Sequence, residues 1–282
     1  MNGPREGADG FRRTTPGMRA ILWIGTGFVA AAGLNEYLLS AQTDRFFAWT
    51  IKLPLTAAFL GAFYLTALGM AALSARQRQW SLARVGVPGV AAFLWLTLLA
   101  SLLHAGLFHF TSGPTTARFA AWVWLAIYLL DPPALTILWF LQTRVPGTDR
   151  PRSRVLPAWY KGLLVVVGAV SVAVGVCLFV APTTAVHLWP WPLTPLTAQA
   201  IASWLVGYGI VLLTMIAENG WERVRPALVP SVVLFALLIA LIRYPDPVTW
   251  SSASAWIFLV MLAGALVLGG MGWLLAKRAR VA

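Results

Sequence analysis

The chain has 282 residues, of which 59% are hydrophobic and only 11% charged, with a mean hydropathy of +0.76. Soluble domains carry about 25% charge, so this composition excludes an ordinary soluble class and requires a polytopic membrane protein. A formal net charge of +12 would suggest nucleic acid in a soluble protein, but in a membrane protein the charges have first to be set against the bilayer.

Residues 1–17 are polar, carry Gly and Pro and show no periodicity, which predicts a disordered cytoplasmic tail. Eight apolar runs follow, each near the ~20 residues needed to cross ~30 Å of hydrocarbon: about 18–40, 54–74, 88–110, 117–141, 159–180, 197–217, 227–243 and 253–276. Arg12, Arg13 and Arg19 before an apolar run reaching Ala30, Ala31 and Ala32 imitate a signal peptide. The run continues to Leu39, however, and has a counterpart later in the chain, so it is expected to be retained as the first span. A basic, proline-punctuated linker at 142–157 separates a first four-span unit (18–141) from a second (158–276), and a basic tail (277–282) follows.

With the N-terminus inside, 17 of the 21 Lys and Arg residues fall on the cytoplasmic side, and the external segments keep only Arg45, Lys52, Arg118 and Arg243. This is the positive-inside pattern, with both termini cytoplasmic. It assigns the basic excess to topology and to anionic lipid headgroups as partners, with no need for nucleic acid. The single cysteine, Cys177, lies within the fifth run, so there is neither a disulfide framework nor a thiol metal cluster. The excess of Arg over Lys, with abundant Ala, Gly and Pro, points to a high-GC bacterial genome and hence to the bacterial inner membrane.

Sliding the chain against itself by 141 residues aligns Pro54-Leu55-Thr56-Ala57 with Pro195-Leu196-Thr197-Ala198, Trp80 with Trp221, Arg84 with Arg225 and Thr43 with Thr184. An even number of spans per unit makes the halves parallel, so the expected fold is an all-α bundle of two parallel four-helix repeats about an axis along the membrane normal. The segment FFAWTIKLPLTAAFLGAFY (Phe46–Tyr64) and its partner WPWPLTPLTA (Trp189–Ala198) resemble segments of uncharacterised bacterial multi-pass membrane proteins. The resemblance implies an inner-membrane location and supplies no activity or site.

Most of the fifteen tryptophans fall near span ends, which predicts an aromatic belt at the two interfaces with only Trp95 and Trp204 deeper. Small residues four apart, Ala57/Gly61, Ala58/Ala62, Ser203/Gly207 and Ala265/Gly269, predict close helix contacts, with the second and sixth spans central.

The chemically exceptional stretch is Asp131-Pro132-Pro133, a carboxylate and two helix breakers near the middle of the fourth span. An acid at that depth is costly unless paired, protonated or hydrated, and it marks a solute or proton pathway. The competing expectation is structural: Asp131 as N-cap and Pro132 as first residue of a half-helix after the upper helix ends. Glu36 in the outer turns of the first span, with His104 and His109 in the outer part of the third, would complete an outward vestibule of titratable groups. Their repeat counterparts are Cys177, Pro245 and, for Asp131, Gly272, so polar chemistry is confined to the first half.

No metal-binding or nucleophile motif occurs, and facing histidines for haem are lacking, so neither a cofactor nor an enzymatic role is expected. The leading functional expectation is a transporter or permease-like protein for a small or lipophilic solute, proton-linked through Asp131. A non-catalytic subunit or scaffold, bound to a membrane-protein partner or a second copy, ranks next, and an intramembrane enzyme third.

Overall fold

The computed structural model describes residues 10–152, 154–228 and 235–281. Among them the chain is helical and forms no strand, only isolated bridges. The helices are α1 (Pro16–Leu38), α2 (Thr43–Phe46), α3 (Pro54–Arg76), α4 (Trp80–Ala83), α5 (Val87–Leu103), α6 (Thr115–Thr143), α7 (Ala158–Val180), α8 (Pro195–Glu218), α9 (Trp221–Leu228), α10 (Phe235–Arg243) and α11 (Ala253–Val281).

Seven of these stretches are long and apolar enough to cross a membrane: α1, α3, the run Trp80–Leu103 through α4 and α5, α6, α7, α8 and Ala253–Lys277 within α11. The chain is thus an integral, multi-pass helical membrane protein. The expected span 227–243 overlaps residues 229–234, which lie outside the described residues; α10, at nine residues, is too short to span by itself.

Helix starts follow local chemistry. Pro54 and Pro195 stand at the first turns of α3 and α8, where a missing N–H costs nothing. At α8 a reciprocal capping box between Thr194 and Thr197 holds the end, and Asn219, at φ 45°, closes the helix in the left-handed region.

α3, α5 and α8 are the most buried of the long helices. α1 packs on α3 and α7 on α8, while α5 lies on α8 and α10 on α3, so each half lends a helix to the other half's inner one. Small residues set the spacing. A Cβ on Gly61 would stand 2.5 Å from the Tyr37 nitrogen of α1, and one on Gly209 would stand 2.6 Å from the Gly168 carbonyl of α7. Gly207 meets α5 in the same way, 2.9 Å from the Gly89 carbonyl. Such contacts supply dispersion energy in lipid, where the hydrophobic effect drives no association.

At the end of the bundle that carries the linker, residues 10–15 do not float free. The Arg12 amide donates to the Thr148 carbonyl and the Thr14 amide to the Arg78 carbonyl, and the Trp80 amide donates back to the Arg12 carbonyl. Gln142 is fully buried; it accepts from the Thr15 amide and donates to the Arg13 carbonyl. These bonds replace the disorder expected of that part of the tail, because they satisfy backbone groups on three segments at once.

The tryptophan belt is only half of what was expected. Of those expected in it, Trp49, Trp80, Trp124, Trp189, Trp191 and Trp221 are buried, and all but Trp221 join Trp204 in one aromatic-rich core. Trp191 donates from its indole to Thr56 Oγ1 at 3.0 Å, which ties the outer loop of one half to α3 of the other. Trp95 faces outward from the bundle and donates to Thr136 Oγ1. Loops at that end fold inward and carry their indoles with them.

Candidate functional site

A cavity of about 150 Å³ lies between α1, α3, α5, α6 and α8. That is many times the ~10–15 Å³ a single water needs. Its wall is almost wholly apolar and aromatic, with Phe63, Tyr64, Phe93, Trp124, Tyr128 and Trp204 contributing rings. Trp204 is the hub: its ring lies 4.0 Å from Phe93 and 4.8 Å from Tyr64, centroid to centroid. Trp124 stacks obliquely on Tyr128 at 4.5 Å, and the Tyr64 and Tyr128 hydroxyls share a 2.8 Å hydrogen bond.

Among the described residues Asp131 is the single charged side chain on this wall. It is half-buried and has neither a hydrogen-bond nor an ion-pair partner among the described residues. Gly25 of α1 lines the same cavity, and a Cβ added to it would meet nothing within 4 Å. α1 and α6 come together nearer the linker end, where Gly17 meets Leu138 and Thr15 meets Gln142.

The expected half-helix is not present. α6 runs unbroken from Thr115 to Thr143 with Pro132 and Pro133 inside it, so Asp131 is not an N-cap. The two prolines remove the amides that would have bonded the Tyr128 and Leu129 carbonyls, yet their fixed φ near −65° suits a helix. Packed neighbours keep the two segments in line, as they do for prolines in other membrane helices. The capping account of Asp131 is thereby withdrawn, leaving a carboxylate on a continuous helix with no structural partner.

The remaining expected site residues do not converge on the cavity. Pro132 is buried and Pro133 partly so. Glu36 has no exposed surface, and neither carboxylate oxygen has a hydrogen-bond partner among the described residues. It stands where α1 crosses Gly61 of α3.

His104 caps α5 and faces the second half, with its Nε2 2.9 Å from Gln199 Oε1. Because Gln199 Nε2 donates to the Phe179 carbonyl, its oxygen is turned toward His104, whose Nε2–H is the donor. His109 is a loop staple, bonded to Thr50 Oγ1 at 3.0 Å and to the Phe47 carbonyl at 3.1 Å. Both histidines are thus satisfied structural groups.

A second cavity, of about 130 Å³, lies between α3, α7, α8 and α11 and is lined by Phe59, Trp189 and Phe258 among others, with no charged side chain among the described residues. Polar side chains are not confined to the first half: Gln199, Glu218 and Arg223 are buried in the second.

One ionic cluster went unnoticed in the sequence because its members are far apart along the chain. Arg84 reaches Asp149 with both terminal nitrogens, at 3.0 and 2.6 Å, and Glu218 through Nε at 2.5 Å. Arg223 adds a bond to Glu218 at 3.3 Å and also donates to the Arg150 carbonyl. Arg152 donates to the Glu218 carbonyl, at the end of α8. Burial pushes the Asp149 carboxyl upward, but bonds from Arg84 and the positive fields of Arg84, Arg223 and Arg12 outweigh it and hold it below the ordinary value of 3.8. The cluster joins first half, linker and second half, which is a structural task.

Among the described residues no group of three or more His, Cys, Asp or Glu side chains is placed to hold a metal. Cys177 stands exposed on α7 as a free thiol. The chain matches no protein-family profile, no curated protein and no solved structure.

Proposed function

We propose that this protein is a permease-like transporter of the bacterial inner membrane that takes a small lipophilic solute into the α1–α3–α5–α6–α8 cavity, with Asp131 as the titratable group on its wall. The observation that carries the reading is an unpartnered carboxylate on the wall of a roomy apolar cavity within a helical membrane bundle. A scaffold has no use for such a cavity and would fill it at the packing density of protein interiors. Bilayer lipid with anionic headgroups is the surrounding partner.

The same proposal includes eight spans in two parallel four-span units with both termini cytoplasmic. Element boundaries support it: α3 and α8 begin at Pro54 and Pro195, α4 and α9 at Trp80 and Trp221, each pair 141 residues apart. The reciprocal packing of α5 on α8 and of α10 on α3 has the form of a two-fold exchange.

The test is protein-dependent efflux. Proteoliposomes are loaded with a mixture of small organic solutes and diluted, and the retained fraction is compared by mass spectrometry with that of protein-free vesicles. At least one solute is expected to leave faster with the protein, and Gly25→Trp, which fills open space beside the cavity wall, should slow it. Absence of any protein-dependent efflux returns the chain to the scaffold reading.

A further inference from the structure

The two cavities differ in one chemical respect, and that difference specifies a solute class. The charged wall of the first holds one carboxylate and no basic group, while the rings of Tyr64, Phe93, Trp124, Tyr128 and Trp204 surround the space beyond it. We infer that this cavity selects lipophilic organic monocations, amines or quaternary ammonium ions carrying an aryl or alkyl body. The inference rests on the reading of the cavity as a solute site.

Elimination by chemistry leads there. An anion is repelled by Asp131 and finds no Arg or Lys on the wall. A neutral solute leaves the carboxylate unpaired while displacing the water that would hydrate it, which is costly in a low-dielectric site. Calcium or magnesium demands six or more oxygen ligands, and this wall offers one carboxylate and a few hydroxyls. A weakly hydrated organic cation loses little on leaving water, gains one opposite charge, and presents C–H surface to the electron-rich ring faces. The single carboxylate sets the charge at one. The second cavity, with rings but no carboxylate, has no basis for preferring a cation.

The discriminating probes are benzyltrimethylammonium and neopentylbenzene, which share a shape and differ by nitrogen for carbon, hence by one charge. Equilibrium dialysis of the purified full chain against protein-free micelles of the same detergent subtracts partitioning. Wild type is expected to hold the cation at least about tenfold more tightly than the hydrocarbon. Asp131→Asn is expected to lose that preference while its neopentylbenzene binding stays unchanged, and Asp131→Glu to retain it. Equal or tighter binding of neopentylbenzene by the wild type, or an Asp131→Asn protein that keeps the preference, overturns the monocation assignment and leaves the cavity as a solute site. Failure to hold either probe above the blank removes the solute site itself. Should Asp131→Asn not fold, the wild-type comparison of the two probes still decides.

Discussion

A carboxyl group without exposed surface and without a partner is expensive wherever it stands, and Glu36 is in that position. Its amide isostere keeps the shape and cannot ionise. Glu36→Gln is therefore expected to be at least as stable as wild type by thermal unfolding in detergent; a loss of more than ~1 kcal/mol would mean that the oxygens serve a partner an amide cannot replace. Asp149 behaves oppositely. Its folded-state value lies below the ordinary one, so its contribution is present above pH ~4 and is lost as pH falls through the lowered value. Acid unfolding of Asp149→Asn should accordingly show a flatter decline below pH 4 than wild type, and superimposable acid limbs would dissociate Asp149 from the cluster. Asp131 was legible in the sequence because a charge interrupts an apolar run. The rings around it were not, since aromatic residues are frequent in membrane spans and nothing local tells which face turns inward.

At the scale of helices, hydropathy places the long elements well, because bilayer thickness fixes how many apolar residues a span needs. Hydropathy cannot tell a helix broken at Pro132 from one that continues, since the answer depends on neighbours that hold the two segments in line. Burial of Trp80 and Trp191 was likewise illegible: position near a span end says nothing about whether a loop folds inward. Close contacts are the most testable consequence. Gly61→Ala drives a methyl into the backbone of α1 at Tyr37 and should cost ~1–3 kcal/mol in detergent unfolding. Gly25→Ala, with open space around it and a helix-favouring residue gained, should be neutral or stabilising by up to ~1 kcal/mol. If both substitutions behave alike, the α1–α3 crossing is not set by Gly61.

For the whole molecule, reporter fusions after Gln142 and at the C-terminus are expected on one side of the membrane, and fusions within 111–116 or 183–195 on the other; a reversed pair would rule out the eight-span arrangement. The 141-residue offset was legible because two PLTA segments and two tryptophans keep their spacing, whereas the exchange of α5 and α10 between halves leaves no trace in sequence. That exchange acquires a different meaning when the chain is followed through its synthesis. When the ribosome has passed residue 152, Arg84 has met Asp149 but not Glu218, α5 has no α8 to lie on, and α3 has no α10. The first half must wait in the bilayer with an inner face bare until the second arrives. A chain truncated at residue 152 is thus expected to be degraded in cells, and to be rescued when 154–282 is co-expressed in the same membrane.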